Sequence, residues 1–164
     1  MKHVILTIVL LLASGLVIAQ TKMSDQLSKT TKMNAQSKIY FAGGCFWGTE
    51  HFMKQINGVT STQVGYANGK TSIKNPTYEQ VCNDNTGFAE TVEVSYDPQQ
   101  ADLKLLLELY FKTIDPTSLN RQGNDRGSQY RTGIYYTNAA DLPIIKEAIE
   151  TLAKKYSKPI VVEV

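Results

Sequence analysis

Thiols, imidazoles and indoles are scarce in this chain: its 164 residues include two cysteines, two histidines and one tryptophan. A zinc site wants about four ligands, and Cys45, Cys82 and His51 lack the CxxC or HxxxH spacing that would assemble them, so no metal is expected. A cysteine hydrolase needs a histidine base. With His3 in an N-terminal leader, His51 is left for that role, and on a helix it points about 240° away from Cys45 and cannot reach the thiol. An excess of one charge is missing too. The formal net charge is +2, with no run of lysine or arginine and no aromatics interleaved with basic residues, so there is no footprint for nucleic acid. No internal repeat is visible. The remainder, 42% hydrophobic and 20% charged, is the composition of one ordinary globular domain.

The long apolar run Val4 to Ile18 follows the basic start Lys2-His3 and ends with small residues at Val17 and Ala19. This is the pattern of a signal peptide over residues 1–19, cleaved before Gln20 and short for a spanning helix, with an uncleaved membrane anchor as the alternative. No cysteine follows the run to carry a lipid. The expectation is an exported chain, periplasmic or secreted, with no stable membrane anchor after cleavage. Residues 20–37 are rich in lysine, serine, threonine and glutamine, a flexible tether. The folded domain is expected over residues 38–164.

Within it, "KIYFA" (38–42) reads as a buried strand ended by Gly43-Gly44. Thr49, Phe52, Met53 and Ile56 form one helical stripe closed by Asn57-Gly58. A second strand, Val59 to Tyr66, leads into a long polar loop, the kind of segment that often carries function. "FAETVEVSY" (88–96) has a period of two, with Phe88, Glu90, Val92, Val94 and Tyr96 on one face. Leu103, Leu106, Leu107, Tyr110, Phe111 and Ile114 mark an amphipathic helix stopped by Asp115-Pro116. A polar loop, a short strand near Ile134 to Tyr136 and a last helix (Leu142, Ile145, Ile149, Leu152, Tyr156) lead to a terminal strand, "IVVEV". The order predicts an α+β, ferredoxin-like split βαβ sandwich, a mixed sheet with packed helices. A doubly wound parallel sheet is the alternative.

Cys45 falls at the N-terminal end of the first helix, where unpaired N–H groups and the positive end of the helix dipole favour a thiolate. A buried inert thiol or half of a disulfide fits the same position. Phe46 and Trp47, directly after it, form an apolar cup for a substrate or simply pack. Glu90 is in phase with apolar neighbours, so either its carboxyl is desolvated and protonated near neutral pH, or it escapes to water at the strand end. A thiolate beside a protonated carboxyl is a nucleophile with a proton donor. Tyr78 and Tyr130 are hydrogen-bond donors or packing residues, Asp125 is most simply a turn residue, and Cys82 is a second redox cysteine or an idle thiol.

Together "GGCFWGTE", "NPTYEQVC", "TGFAETVEVSYDP" and "DPTSLNRQGNDRGSQYRTGIYY", spanning Lys38 to Tyr136, resemble the peptide methionine sulfoxide reductases of the A type. The resemblance implies that Cys45 attacks the sulfoxide sulfur, releasing methionine and leaving a sulfenic acid. It implies Glu90 as proton donor to the sulfoxide oxygen and Tyr78 and Tyr130 as hydrogen-bond donors to it. Phe46 and Trp47 would hold the substrate methyl group, and Asp125 the substrate backbone. Substrates would be S-sulfoxides of methionine, free or in oxidised proteins and peptides, the reductant thioredoxin-like, with no metal or other cofactor. Two departures stand out. Phe88 replaces the histidine of the family's "TGHAE", and the chain lacks the tail, often bearing a resolving cysteine, with which the family continues beyond "IVVEV". Resolution is then expected from Cys82 or an external thiol. Two rival functions use the same residues: a thiol peroxidase or disulfide-exchange protein, and a truncated, non-catalytic domain that binds methionine-rich segments.

Overall fold

The computed structural model describes residues 36–83 and 86–164. The expected leader and all of the tether except Gln36 and Ser37 lie outside the described residues.

Four strands form the central sheet: β1 (Ser37–Gly43), β2 (Val59–Ala67), β3 (Ala89–Tyr96) and β6 (Thr132–Tyr135), in the spatial order β2-β3-β1-β6. Every neighbouring pair is antiparallel. β1 and β2 therefore run parallel with β3 between them, and β3 and β6 run parallel with β1 between them. Helix α1 (Phe46–Met53) makes the first crossover and α3 (Leu103–Phe111) the second, which is the split βαβ arrangement of an α+β fold. The terminal run contributes one isolated parallel bridge, Gly133 to Glu163, rather than the expected strand. Val161 is turned aside to donate its N–H to Pro116 O, so the register cannot extend upstream.

Period-two burial explains β1: Ile39 and Phe41 are fully buried, while Lys38 pairs across to Glu93 at 2.6 Å on the other face. β3 is central and covered on both faces. Val92 and Val94 enter the main core, and Thr91 and Ser95 are buried opposite. α3 presents Leu103, Leu106, Leu107 and Tyr110 to that core, each leucine stabilising by about 2 kcal/mol on burial. Its start is capped by Asp102, whose carboxylate accepts the Leu105 N–H at 2.8 Å. Tyr110 stacks on Phe41 at 4.6 Å between ring centres. Its hydroxyl donates to Ala42 O and accepts from Gly133 N, so the buried oxygen is satisfied and ties α3 to β1 and β6. The last helix, α4 (Asp141–Ala153), buries Ile145 and Leu152 but stops before Tyr156, which is exposed.

Two segments expected as loops carry structure. Within the first, Tyr78–Asn83 forms a short helix, α2. Its start is a reciprocal cap: Thr77 N donates to Gln80 Oε1 at 2.9 Å and Gln80 N donates to Thr77 Oγ1 at 3.3 Å. The second holds a two-residue hairpin, β4 (Arg121–Gln122) with β5 (Asp125–Arg126), then a 3-10 turn, Ser128–Tyr130.

Candidate active site

β1 ends at Gly43, Gly44 turns the chain and α1 begins at Phe46, so Cys45 occupies the N-cap with φ −58° and ψ 119°. Gly44 reaches φ +83°, and a Cβ there would stand 2.7 Å from the Cβ of Gln122. Only glycine meets both demands. Gln122 is held in turn: its amide donates to Asp115 O at 2.9 Å and accepts from Asp115 N at 2.8 Å. The β4–β5 hairpin is thereby tied to Asp115, with the Gln122 side chain lying against Gly44.

No side chain caps α1. Its first free amide, Phe46 N, instead donates to Glu90 Oε2 at 3.0 Å. That bond joins the residue after the cysteine to the carboxyl on β3. Glu90 is 2% exposed, so of its two sequence readings the buried one holds. Desolvation raises its pKa, the Phe46 N–H works in the opposite direction, and the charge of Asp125 raises it further. Burial wins, and the carboxyl is biased toward its protonated form.

The aromatic residues arrange themselves around this pair. Phe46 is buried and meets Trp47 edge-on, 5.2 Å between ring centres at 74°. Trp47 is 62% exposed, so it forms an outer wall where Phe46 forms a floor. A third ring, Tyr66, lies 5.8 Å from Phe46. Sequence reasoning missed it, although it is the register partner of Glu90 in the β2–β3 ladder and the signal lay in that pairing. Burial raises its pKa, with smaller contributions from Glu90, Cys82 and Tyr78.

Tyr78 opens α2, is 56% exposed, and sits one helical turn before Cys82. The nearby Cys82 and Tyr130 side chains push its pKa up to about 12. Tyr130 ends the 3-10 turn, and its pKa is raised by burial and then by Glu90. Glu90, Tyr66, Tyr78, Tyr130, Cys82 and Asp125 thus share one electrostatic neighbourhood. Both cysteines are free and half-buried. His51 is exposed on α1. Among the described residues no three side chains of histidine, cysteine, aspartate or glutamate converge as a metal site.

Chemically the group holds a thiol at a helix start, a buried carboxyl bonded to the next peptide N–H, the hydroxyls of Tyr78 and Tyr130, and an aromatic corner of Phe46 and Trp47. Residues 37–164 match the family model described as peptide methionine sulfoxide reductase. A peptide methionine sulfoxide reductase MsrA of Lachnoclostridium phytofermentans is 63% identical over 126 residues, 77% of this chain and 75% of that protein. Among solved structures, methionine sulfoxide reductase A of Corynebacterium diphtheriae superposes with a TM-score of 0.69 at 36% identity, covering 79% of this chain and 64%, just under two thirds, of that one. Mxr1 from Saccharomyces cerevisiae in reduced form gives 0.74 at 37% identity over 79% of this chain and 75% of its own. The same yeast protein in complex with Trx2 gives 0.56 at 29% identity over 77% and 73%.

Proposed function

Because the chain belongs to the peptide methionine sulfoxide reductase family, of the A type, and so to enzymes that reduce methionine sulfoxide by thiol chemistry, we propose that Cys45 is its nucleophile, acting on the S epimer in oxidised proteins and peptides. The Cys45 thiolate attacks the sulfoxide sulfur while Glu90 delivers a proton to the oxygen. The S–O bond breaks as the oxygen passes to Cys45. Methionine leaves, reduced by two electrons, and Cys45 becomes a sulfenic acid. A second thiol then attacks the sulfenic sulfur, expelling water and forming a disulfide. Cys82, which shares the electrostatic neighbourhood of Tyr78 and Tyr66, is the internal candidate, with an external thiol as the other. A thioredoxin-like dithiol closes the cycle, in keeping with the yeast relative solved with Trx2.

The single observation that carries the reading is the buried Glu90 carboxyl bonded to the amide that follows Cys45. A disulfide-exchange protein expels a thiolate and has no use for a desolvated proton donor at that point, whereas the oxygen of a sulfoxide must be protonated before it can leave the sulfur. Tyr78 and Tyr130 hold that oxygen, Phe46 and Trp47 hold the methyl group, and Asp125, exposed on β5, meets the substrate backbone. We place the work of this domain outside the cytoplasm, on the strength of the apolar N-terminal run and its cleavage pattern.

The test is turnover of a peptide carrying each sulfoxide epimer separately, coupled to thioredoxin, thioredoxin reductase and NADPH. NADPH consumption with the S epimer, none with the R epimer and none after Cys45→Ser is the expected result. Equal consumption with both epimers, or persistence after Cys45→Ser, refutes it.

A further inference from the structure

The mechanism leaves one partly buried ionic centre unused. Arg131 follows Tyr130 directly, and its side chain is only 13% exposed. The guanidinium makes four bonds to four separate segments. Nε donates to Glu163 Oε1 at 2.7 Å, one terminal nitrogen to Ser128 O at 3.0 Å, and the other to Asn68 O at 3.1 Å and Gly87 O at 3.0 Å. Ser128 starts the turn that ends at Tyr130. Asn68 follows the last residue of β2, and Gly87 stands three residues before Glu90. Both carbonyls belong to backbone in left-handed conformation, φ +54° at Asn68 and +77° at Gly87, where strand pairing no longer holds the chain.

Glu163 completes the centre. Its carboxylate also accepts from Asn68 Nδ2 at 3.0 Å and from the Tyr135 hydroxyl. Its backbone pairs with Thr132 and Ile134 on β6. Burial works to raise the Glu163 pKa, but the bonds from Tyr135, Asn68 and Arg131 outweigh it and hold it low. The anion is therefore fixed, and it aims the guanidinium.

We infer that Arg131 is a positioning residue: oriented by Glu163, it sets the distance between Tyr130 and Glu90 by stapling the tyrosine turn to the open end of the β2–β3 pair. The inference rests on the functional reading above. The two groups it spaces are those that meet the sulfoxide oxygen, whereas Phe46 and Trp47, which meet the methyl group, stand on α1 and are untouched by it. Loss of the staple should therefore slow the chemical step and spare substrate binding. Geometry errors of about 1 Å at a reacting centre cost about 10²-fold in rate.

The experiment compares wild type, Arg131→Met and Arg131→Lys in single turnover with an S-sulfoxide peptide, alongside KM, folded fraction by circular dichroism, and the rate of Cys45 alkylation. Arg131→Met should lower the single-turnover rate about 10²-fold with KM and Cys45 alkylation within about twofold. Arg131→Lys keeps the charge but offers one nitrogen centre for four acceptors, so it should remain at least about tenfold slow. It is also the variant that decides if Arg131→Met does not fold. Guanidinium ion added to Arg131→Met should restore part of the rate. A Lys variant at the wild-type rate, or a loss that only tracks the unfolded fraction, overturns the inference and leaves Arg131 a structural residue. An inactive, folded wild type removes the functional reading and this inference with it; an active wild type with an equally active Met variant removes the inference alone.

Discussion

Replacing Glu90 with glutamine should make the protein more stable and nearly inactive at once. The substitution is isosteric, and the amide oxygen keeps an acceptor for the Phe46 N–H that now lies 3.0 Å from Oε2. What disappears is the transferable proton. General acid catalysis contributes typically about 10²–10⁴-fold, or about 3–5 kcal/mol of barrier, and the single-turnover rate should fall by that factor while Cys45 alkylation is unchanged. The stability effect follows from the raised pKa of the buried carboxyl. Below the ordinary value of 4.5 the group is protonated in both states and costs nothing. As pH rises past that value the unfolded chain ionises first, and stability is lost until the folded carboxyl ionises too. Glutamine never ionises, so Glu90→Gln should gain about 1.4 kcal/mol at pH 8 for each unit by which the folded pKa exceeds the unfolded one, and nothing at pH 4. Urea unfolding at the two pH values, with stopped-flow turnover on the same samples, reads both effects. A variant that keeps more than about a tenth of the rate, less than the smallest loss general acid catalysis predicts, or one destabilised at pH 8, refutes the assignment of Glu90 as a desolvated acid.

The glycines on either side of Cys45 should respond oppositely. Gly44→Ala meets a left-handed φ and the Gln122 Cβ at 2.7 Å and should cost about 2–4 kcal/mol, whereas Gly48→Ala, with open space around it in α1, should stabilise by about 0.5–1 kcal/mol; urea midpoints check both. Tyr78→Phe and Tyr130→Phe should each slow single turnover about tenfold at unchanged KM for the methyl-bearing end, read by comparing sulfoxide turnover with inhibition by methionine peptide. Glu163→Gln should lower stability at pH 7, with the deficit vanishing as pH falls through the native pKa of a carboxylate held below 4.5, as thermal melts across pH would show.

The hydrophobic periods made most of the fold legible. The apolar run of β1, the alternation of β3 and the stripe of α3 gave the βαββαβ order, whereas the phase of Glu90 left its carboxyl either buried or escaping to water, and the fold decides for burial. The cysteine after two glycines marked the start of α1. The features that escaped depend on register and on single hydrogen bonds rather than on period. The Thr77–Gln80 cap makes a helix of a stretch too short to show periodicity. Tyr66 joins the site only because β2 pairs it with Glu90. Arg131 reads as one more basic residue in a polar loop until Asn68, Gly87, Ser128 and Glu163 are brought around it.

The central claim is that Cys45 takes the oxygen from methionine sulfoxide. The reduced wild-type chain should be mixed with an S-sulfoxide peptide without any reductant, the methionine released counted, and the intact protein weighed. One methionine per chain is the expected result, with the protein either two hydrogens lighter through a Cys45–Cys82 disulfide or one oxygen heavier as a sulfenic acid. No methionine from folded, reduced protein would contradict the account.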